Sequence, residues 1–278
     1  MPEPLPPPRS VTTTTCSGEV HDQGAQVTRW VPAGAGPVLY TSTALRLEQG
    51  QAIRAGIPVC WPWFGPGRSG DLEPAHGFLR TAQWELVDEV TTDAEAVFVH
   101  RISDTAAGSP HWPYRYAVQL RSRLGADLEV SLTTTNLAEE PVDYEEALHA
   151  YLVVGDIREA HISGLDDRPF FDKVTRTTRV QSGDLRFSGE TDAVFRTSDP
   201  VTLHDPVLGR RLVVSTEGTS NVVVWNPWEA MAKEVPDIGD GDWTGFVCIE
   251  GGNVLDDAVG LGPGEAHTTT YHLSVEPQ

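Results

Sequence analysis

Residues 116–133 read YAVQLRSRLGADLEVSLT. Tyr116, Val118 and Leu120 alternate with Gln119 and Arg121, and Leu128, Val130 and Leu132 alternate with Glu129, Ser131 and Thr133. A period of two puts the apolar side chains on one face of a pleated strand and the polar ones on the other, so both runs are predicted to be half-buried strands. Leu124-Gly125-Ala126-Asp127 between them supplies turn residues, which makes the pair a hairpin. Similar short strands are predicted at 27–31, 38–41, 84–87, 97–102, 222–225, 246–250 and 268–275. No window of a dozen residues has helical periodicity, and 26 Gly and 21 Pro punctuate the chain, as many strands joined by turns require. The predicted class is all-β: a large antiparallel β-sandwich with few short helices.

A β-sandwich can reach 278 residues as one unit, and no Gly/Ser linker or fixed-period repeat divides the chain, so residues 18–278 are expected to form a single domain. Residues 1–17 (MPEPLPPPRSVTTTTCS) are rich in Pro and Thr and are expected to be a poorly ordered tail or to lie over the surface. The tail lacks the apolar stretch of a secretory signal, and no run approaches the roughly 20 apolar residues of a membrane span, so a soluble, cytoplasmic protein is expected. Cys16, Cys60 and Cys248 are odd in number and widely spaced, which gives neither a disulfide framework nor a zinc pattern. A formal charge of −20 repels nucleic acid and anionic membranes, so neither is an expected partner. An anionic substrate would need a local cluster of arginines, because Lys173 and Lys233 are the only lysines.

Several segments could carry chemistry. Residues 53–66 (IRAGIPVCWPWFGP) set Pro and Gly between bulky aromatics, which predicts a rigid, exposed loop. Such a loop either plugs one end of the sandwich or, through residues such as Trp63, forms an aromatic wall on which a sugar ring stacks. His76-Gly77-Phe78-Leu79-Arg80 ends a Gly/Pro-rich stretch with a His and an Arg. In 145–152 (EEALHAYL) His149 interrupts an apolar strand, and a lone His there is more often a structural donor than a catalyst. In 246–253 (FVCIEGGN) an apolar strand ends at Glu250 before two glycines. That carboxylate reads either as a boundary residue or as a base held out on a stiff scaffold, with its pKa tuned by burial.

In order and wording, these segments resemble the aldose 1-epimerase superfamily, specifically its hexose-6-phosphate mutarotase (glucose-6-phosphate 1-epimerase) branch. The resemblance runs from about residue 20 to 275 through IRAGIPVCWPWFGP, HGFLR, EEALHAYLVVGDI, VVVWNPW and VCIEGGNV. It implies a large antiparallel sandwich with a solvent-open cleft, and an isomerase that interconverts the anomers of a hexose phosphate. Carried over position by position, His149 would be the general acid and Glu250 the general base. His76 would hydrogen-bond the ring oxygen or a neighbouring hydroxyl, Arg54 and Arg80 would recognise phosphate, and Asp237 would orient the substrate. Gly251 stands where many relatives have Pro, and Ala55 where Gly is common; neither change removes a functional group. Opening a hemiacetal needs one acid and one base, and the sequence offers no metal cluster, Gly-rich phosphate loop or dinucleotide fingerprint, so no cofactor is expected. The expected partner is a small sugar phosphate and the expected state a monomer. Three alternatives stay open: a mutarotase for a non-phosphorylated aldose, a non-catalytic sugar-binding protein of the same fold, and a glycosidase using Asp237 with Glu250 as its carboxyl pair.

Overall fold

The hairpin forms as its alternation predicts. In the computed structural model, which describes residues 3–278, strands Tyr116–Leu124 and Leu128–Asn136 pair antiparallel with Leu120 opposite Leu132. Every second side chain of both is buried. The hairpin lies within a nine-stranded sheet. On one side it continues through Ala96–Ser103 to the edge strand Glu85–Thr91. On the other it continues through Ala266–Pro277, Arg210–Glu217, Val201–Asp205 and His161–Ser163 to Leu185–Arg186.

A second sheet of eight strands runs in the order Thr177–Val180, Pro169–Asp172, Thr191–Phe195, Asn221–Asn226, Phe246–Asn253, Glu146–Leu148 and Val59–Cys60, and Tyr151–Val153 also pairs with Phe246–Asn253. The two sheets close on one core. Val222, Val224, Val247 and Ile249 from the second sheet pack with Leu120, Leu132, Leu212, Tyr271 and Leu273 from the first. Fully burying each large side chain of this kind is worth about 1.5–3 kcal/mol relative to leaving it exposed. The Tyr271 hydroxyl donates to the Ile249 carbonyl at 2.9 Å, a polar tie between the sheets. A Cβ on Gly251 would meet Thr216 Cγ2 at 2.4 Å, so the close approach of the layers explains the glycine there. Among the described residues the α-helix is limited to Trp228–Ala232, beside three 3-10 turns.

Three expectations are corrected. The poorly ordered tail fails over 9–17: Arg9–Thr12 pairs with Cys16–His21, which in turn pairs with Gln26–Pro32. Composition concealed this because the strand is held by specific polar contacts. Arg9 forms ion pairs with Asp22 and Glu89, and the Thr13 hydroxyl receives the Thr15 and Cys16 amides in the turn. Leu5 donates its amide to Leu47, so the proline segment lies against the body; residues 1 and 2 of that tail fall outside the described residues. The strand bearing Glu250 does not end there but runs on to Asn253, because Gly251 and Gly252 are ladder members at close backbone approaches. Residues 38–41 contribute only the isolated bridges Leu39 to Leu152 and Thr41 to Ala55.

Glu146 lies fully buried among Thr269, Asn253 and His267, with one carboxyl oxygen unpartnered. Burial pushes its pKa up to about 7, against the opposing hydrogen bonds from Thr269 and Asn253. A carboxyl held above its unfolded value binds its proton more tightly in the native state. Its contribution is therefore complete at acid pH and is lost as pH rises from the unfolded value through about 7. Glu146→Gln should gain on the wild type by about 2–3 kcal/mol between pH 5 and 8, read from unfolding curves at the two pH values. An unchanged difference would place the carboxyl in a solvated setting.

Candidate active site

Residues that face each other across an antiparallel pair share a face of the sheet, so the register assembles the site. Glu250 is opposite Val223, Val223 opposite Val194 and Val194 opposite Phe171. Two residues along, Cys248 is opposite both Tyr151 and Trp225, and Trp225 is opposite Asp192. On the other side of Glu250, Gly252 lies between Ala147 and Asn221. The alternate residues Val247 and Ile249 point into the core, so parity alone turns Glu250 onto the outer face. That face continues into a cavity lined by Phe171, Val194, Asn221, Val254 and Leu255.

His149 sits where the chain breaks between Glu146–Leu148 and Tyr151–Val153, and its amide donates to the Pro58 carbonyl at 3.0 Å. Its ring stacks on Tyr151, with centroids 4.8 Å apart, and meets the Trp225 and His76 rings nearly edge-on. Nε2 comes within 3.3 Å of Glu250 Oε1. Both side chains are buried, and neither His149 Nδ1 nor Glu250 Oε2 has a partner. Desolvation holds the imidazole well below its usual pKa, helped by the positive charges of Arg54 and Arg80. Desolvation also drives the Glu250 carboxyl well above the carboxylate range, opposed by Lys173 and Arg80 and reinforced by Asp192. Both shifts favour the neutral form of each group, so a proton shared across the contact can sit on either partner; on the imidazole it leaves a carboxylate and an imidazolium, a base and an acid side by side.

The structure brings most of the other expected residues to this face. Arg54 grips Asp237 with two hydrogen bonds of 3.1 and 3.0 Å and donates to the Tyr151 hydroxyl at 2.6 Å, so two positions expected separately form one unit. Arg80 donates to the Ala75 carbonyl at 2.6 Å and keeps its buried Nε unpartnered; its charge is felt by His76, His149 and Glu250. His76 packs edge-on against Phe64.

Trp63 is not brought in. It is buried, donates to the Pro74 carbonyl at 2.9 Å and packs on Phe78 and His111. The whole 61–64 aromatic run is buried rather than exposed, because Trp61 fills the core among Trp112, Tyr116 and Tyr144. A half-buried aromatic beside His149 on the site's face is Trp225, whose parity with Val223 in 222–225 was the available signal. Lys173 was also missed. It pairs with Asp192 at 2.8 Å, lies 5.1 Å from the centre of the Phe64 ring, and adds to the positive potential that the arginines alone were expected to supply. Among the described residues no three His, Cys, Asp or Glu side chains are placed to hold a metal ion.

Residues 10–274 match the sequence model described as aldose 1-epimerase. An Escherichia coli K12 protein provisionally named glucose-6-phosphate 1-epimerase is 36% identical over 232 residues, covering 82% of this chain and 76% of its own. A Cenchrus ciliaris protein with the same provisional name is 32% identical over 274 residues, covering 94% and 82%. The crystal structure of a provisionally named mutarotase from Salmonella typhimurium superposes with a TM-score of 0.90 at 29% identity, over 97% of this chain and 90% of that one. With a family match along nearly its whole length and the same fold in a solved relative, this chain belongs to the aldose 1-epimerase family and is an isomerase of aldose anomers.

Proposed function

We propose that the protein interconverts the α and β anomers of glucose 6-phosphate, with Glu250 and His149 moving the two protons that ring opening requires. The observation that carries this reading is the 3.3 Å contact between the two side chains on a face bordered by Arg54, Arg80 and Lys173. Opening the hemiacetal takes the proton from O1 and gives one to the ring oxygen as the C1–O5 bond breaks. Glu250 as carboxylate takes the first and His149 as imidazolium gives the second. Rotation about C1–C2 then presents the other face of the aldehyde, and the two steps reverse on closure. Electrons and atoms balance without an oxidant. Each positioned transfer contributes about 10²–10⁴-fold, enough for a reaction that already proceeds slowly in water.

The substrate phosphate carries about −1.5 to −2 charges, and a guanidinium meets it with charge-assisted hydrogen bonds. Arg80 is the favoured ligand, because Arg54 is committed to Asp237 and Lys173 to Asp192. The Arg54–Asp237 pair offers a donor and an acceptor suited to sugar hydroxyls, and Trp225 offers the stacking face first expected of Trp63. All these groups come from one chain, so a monomer suffices, and a phosphorylated sugar is in keeping with the cytoplasm.

NMR exchange between the anomers of glucose 6-phosphate, beside free glucose and galactose, tests the substrate. Acceleration confined to the phosphorylated sugar is expected; equal acceleration of free sugars would remove the phosphate from the reading, and none would favour a sugar-binding protein. Arg80→Ala should raise KM for glucose 6-phosphate far more than for the free sugar, and equal effects would end its role. His149→Asn and Glu250→Gln should each lower kcat by about 10²–10⁴-fold with little change in KM, and retained kcat in either would overturn its assignment.

A further inference from the structure

His76 sits beside the proton-transfer pair, its ring 5.4 Å from that of His149, yet its surroundings differ in kind. Nδ1 faces the Gly65 amide at 3.3 Å and the Cys60 sulfur at 3.2 Å. A backbone amide can only donate, so a proton on Nδ1 would set two N–H groups against each other. The amide therefore favours the lone pair on Nδ1 and the proton on Nε2, but at 3.3 Å it holds that tautomer only weakly by itself. Burial pushes the Cys60 thiol up and keeps it an S–H, a second donor aimed at the same lone pair.

The backbone holds the ring in this setting. His76 has a φ of 66°, its amide donates to the Gly65 carbonyl at 2.7 Å, and its carbonyl accepts from Trp61 at 3.2 Å. Gly77 follows where a Cβ would lie 1.8 Å from the Trp61 carbonyl oxygen. The charged or titratable neighbours acting on the ring are Arg80, His149, Lys173 and Arg54, all cationic or able to become so, and with burial they oppose a second proton.

We infer that His76 is a permanently neutral Nε2–H donor to the sugar, and that Cys60 is the positioning residue that, with the Gly65 amide, fixes this tautomer. The catalytic consequence rests on the mutarotase reading above; the tautomer does not. It separates the two imidazoles of the site: His149 changes protonation during turnover, whereas His76 offers one fixed hydrogen to an oxygen that only accepts. A second titrating imidazole would compete for the proton that must reach the ring oxygen.

Long-range ¹H–¹⁵N NMR on histidine-labelled protein, with the His76 signals identified by their loss in His76→Gln, tests the assignment. An unprotonated Nδ1 and a protonated Nε2 that stay unchanged from about pH 5 to 8 are expected. An Nδ1–H tautomer, or an imidazolium titrating in that range, would overturn the inference. Cys60→Val removes the S–H from the short strand Val59–Cys60 and should shift His76 toward mixed tautomers, with kcat falling on the order of 10-fold. Cys60→Ser, which restores a hydrogen-bond donor, should recover both. If Cys60→Val leaves tautomer and kcat as in the wild type, the role of Cys60 falls. A protein inactive on every aldose but showing the expected tautomer would refute the function and leave the tautomer standing.

Discussion

A carboxyl group and an imidazole 3.3 Å apart, both withdrawn from water, set the terms for the rest of this structure. Buried alone as an ion, either would cost several kcal/mol; side by side, burial favours the neutral form of each, and one proton can be exchanged between them. Such a pair is useful only if neither side chain can swing away, which demands a stiff backbone under both. The sheet provides it. Glu250 is in the fifth strand along the eight-stranded sheet, paired on both sides, and His149 is fixed by its amide to Pro58 and by the stacked Tyr151 ring.

The loops over this floor are tied by a second carboxylate. Buried Glu145 accepts the Phe64 amide at 3.2 Å and the Leu255 amide at 2.7 Å, joining the aromatic segment to the turn that follows the Glu250 strand. Phe64 in turn carries Gly65, whose amide meets His76. Glu145 and Glu146 are neighbours with opposite surroundings: one clamps the walls of the site through backbone donors, and the other is enclosed with Thr269 and Asn253. A doublet that reads as a simple charged pair therefore serves two separate compartments.

What the sequence made legible follows from locality. Alternation is a property of a few consecutive residues, so the 116–133 hairpin, the parity of 246–250 and the all-β class could be read directly. Position-by-position resemblance singled out His149, Glu250, His76, Arg54, Arg80 and Asp237; the structure sets His149 against Glu250 and His76, and pairs Arg54 with Asp237 beside Tyr151. Interactions between distant strands were not legible. Lys173 and Asp192 meet only because Pro169–Asp172 lies beside Thr191–Phe195, a register no local pattern encodes. Trp63 was misplaced because composition cannot say which of several aromatics the core will claim. The tail was misread because Arg9 and the threonines stabilise it by specific pairing rather than by apolar bulk.

Charge is the remaining constraint, and it acts in opposite senses at two distances. The chain carries 40 acidic against 20 basic residues, yet the site's face is bordered by Arg54, Arg80 and Lys173. Exposed charges beyond a screening length of about 8 Å count for little at physiological salt, so an anion at the site responds to these cations rather than to the distant carboxylates. Two of the three are already matched, Arg54 by Asp237 and Lys173 by Asp192, which offsets the cost of holding them half-buried. Arg80 has a backbone carbonyl for its partner and forms no ion pair among the described residues. Burial first, and then its uncompensated charge, depress the His149 pKa, so an anion bound there would relieve part of that pressure and ease His149 toward the protonated form that the proposed ring opening requires.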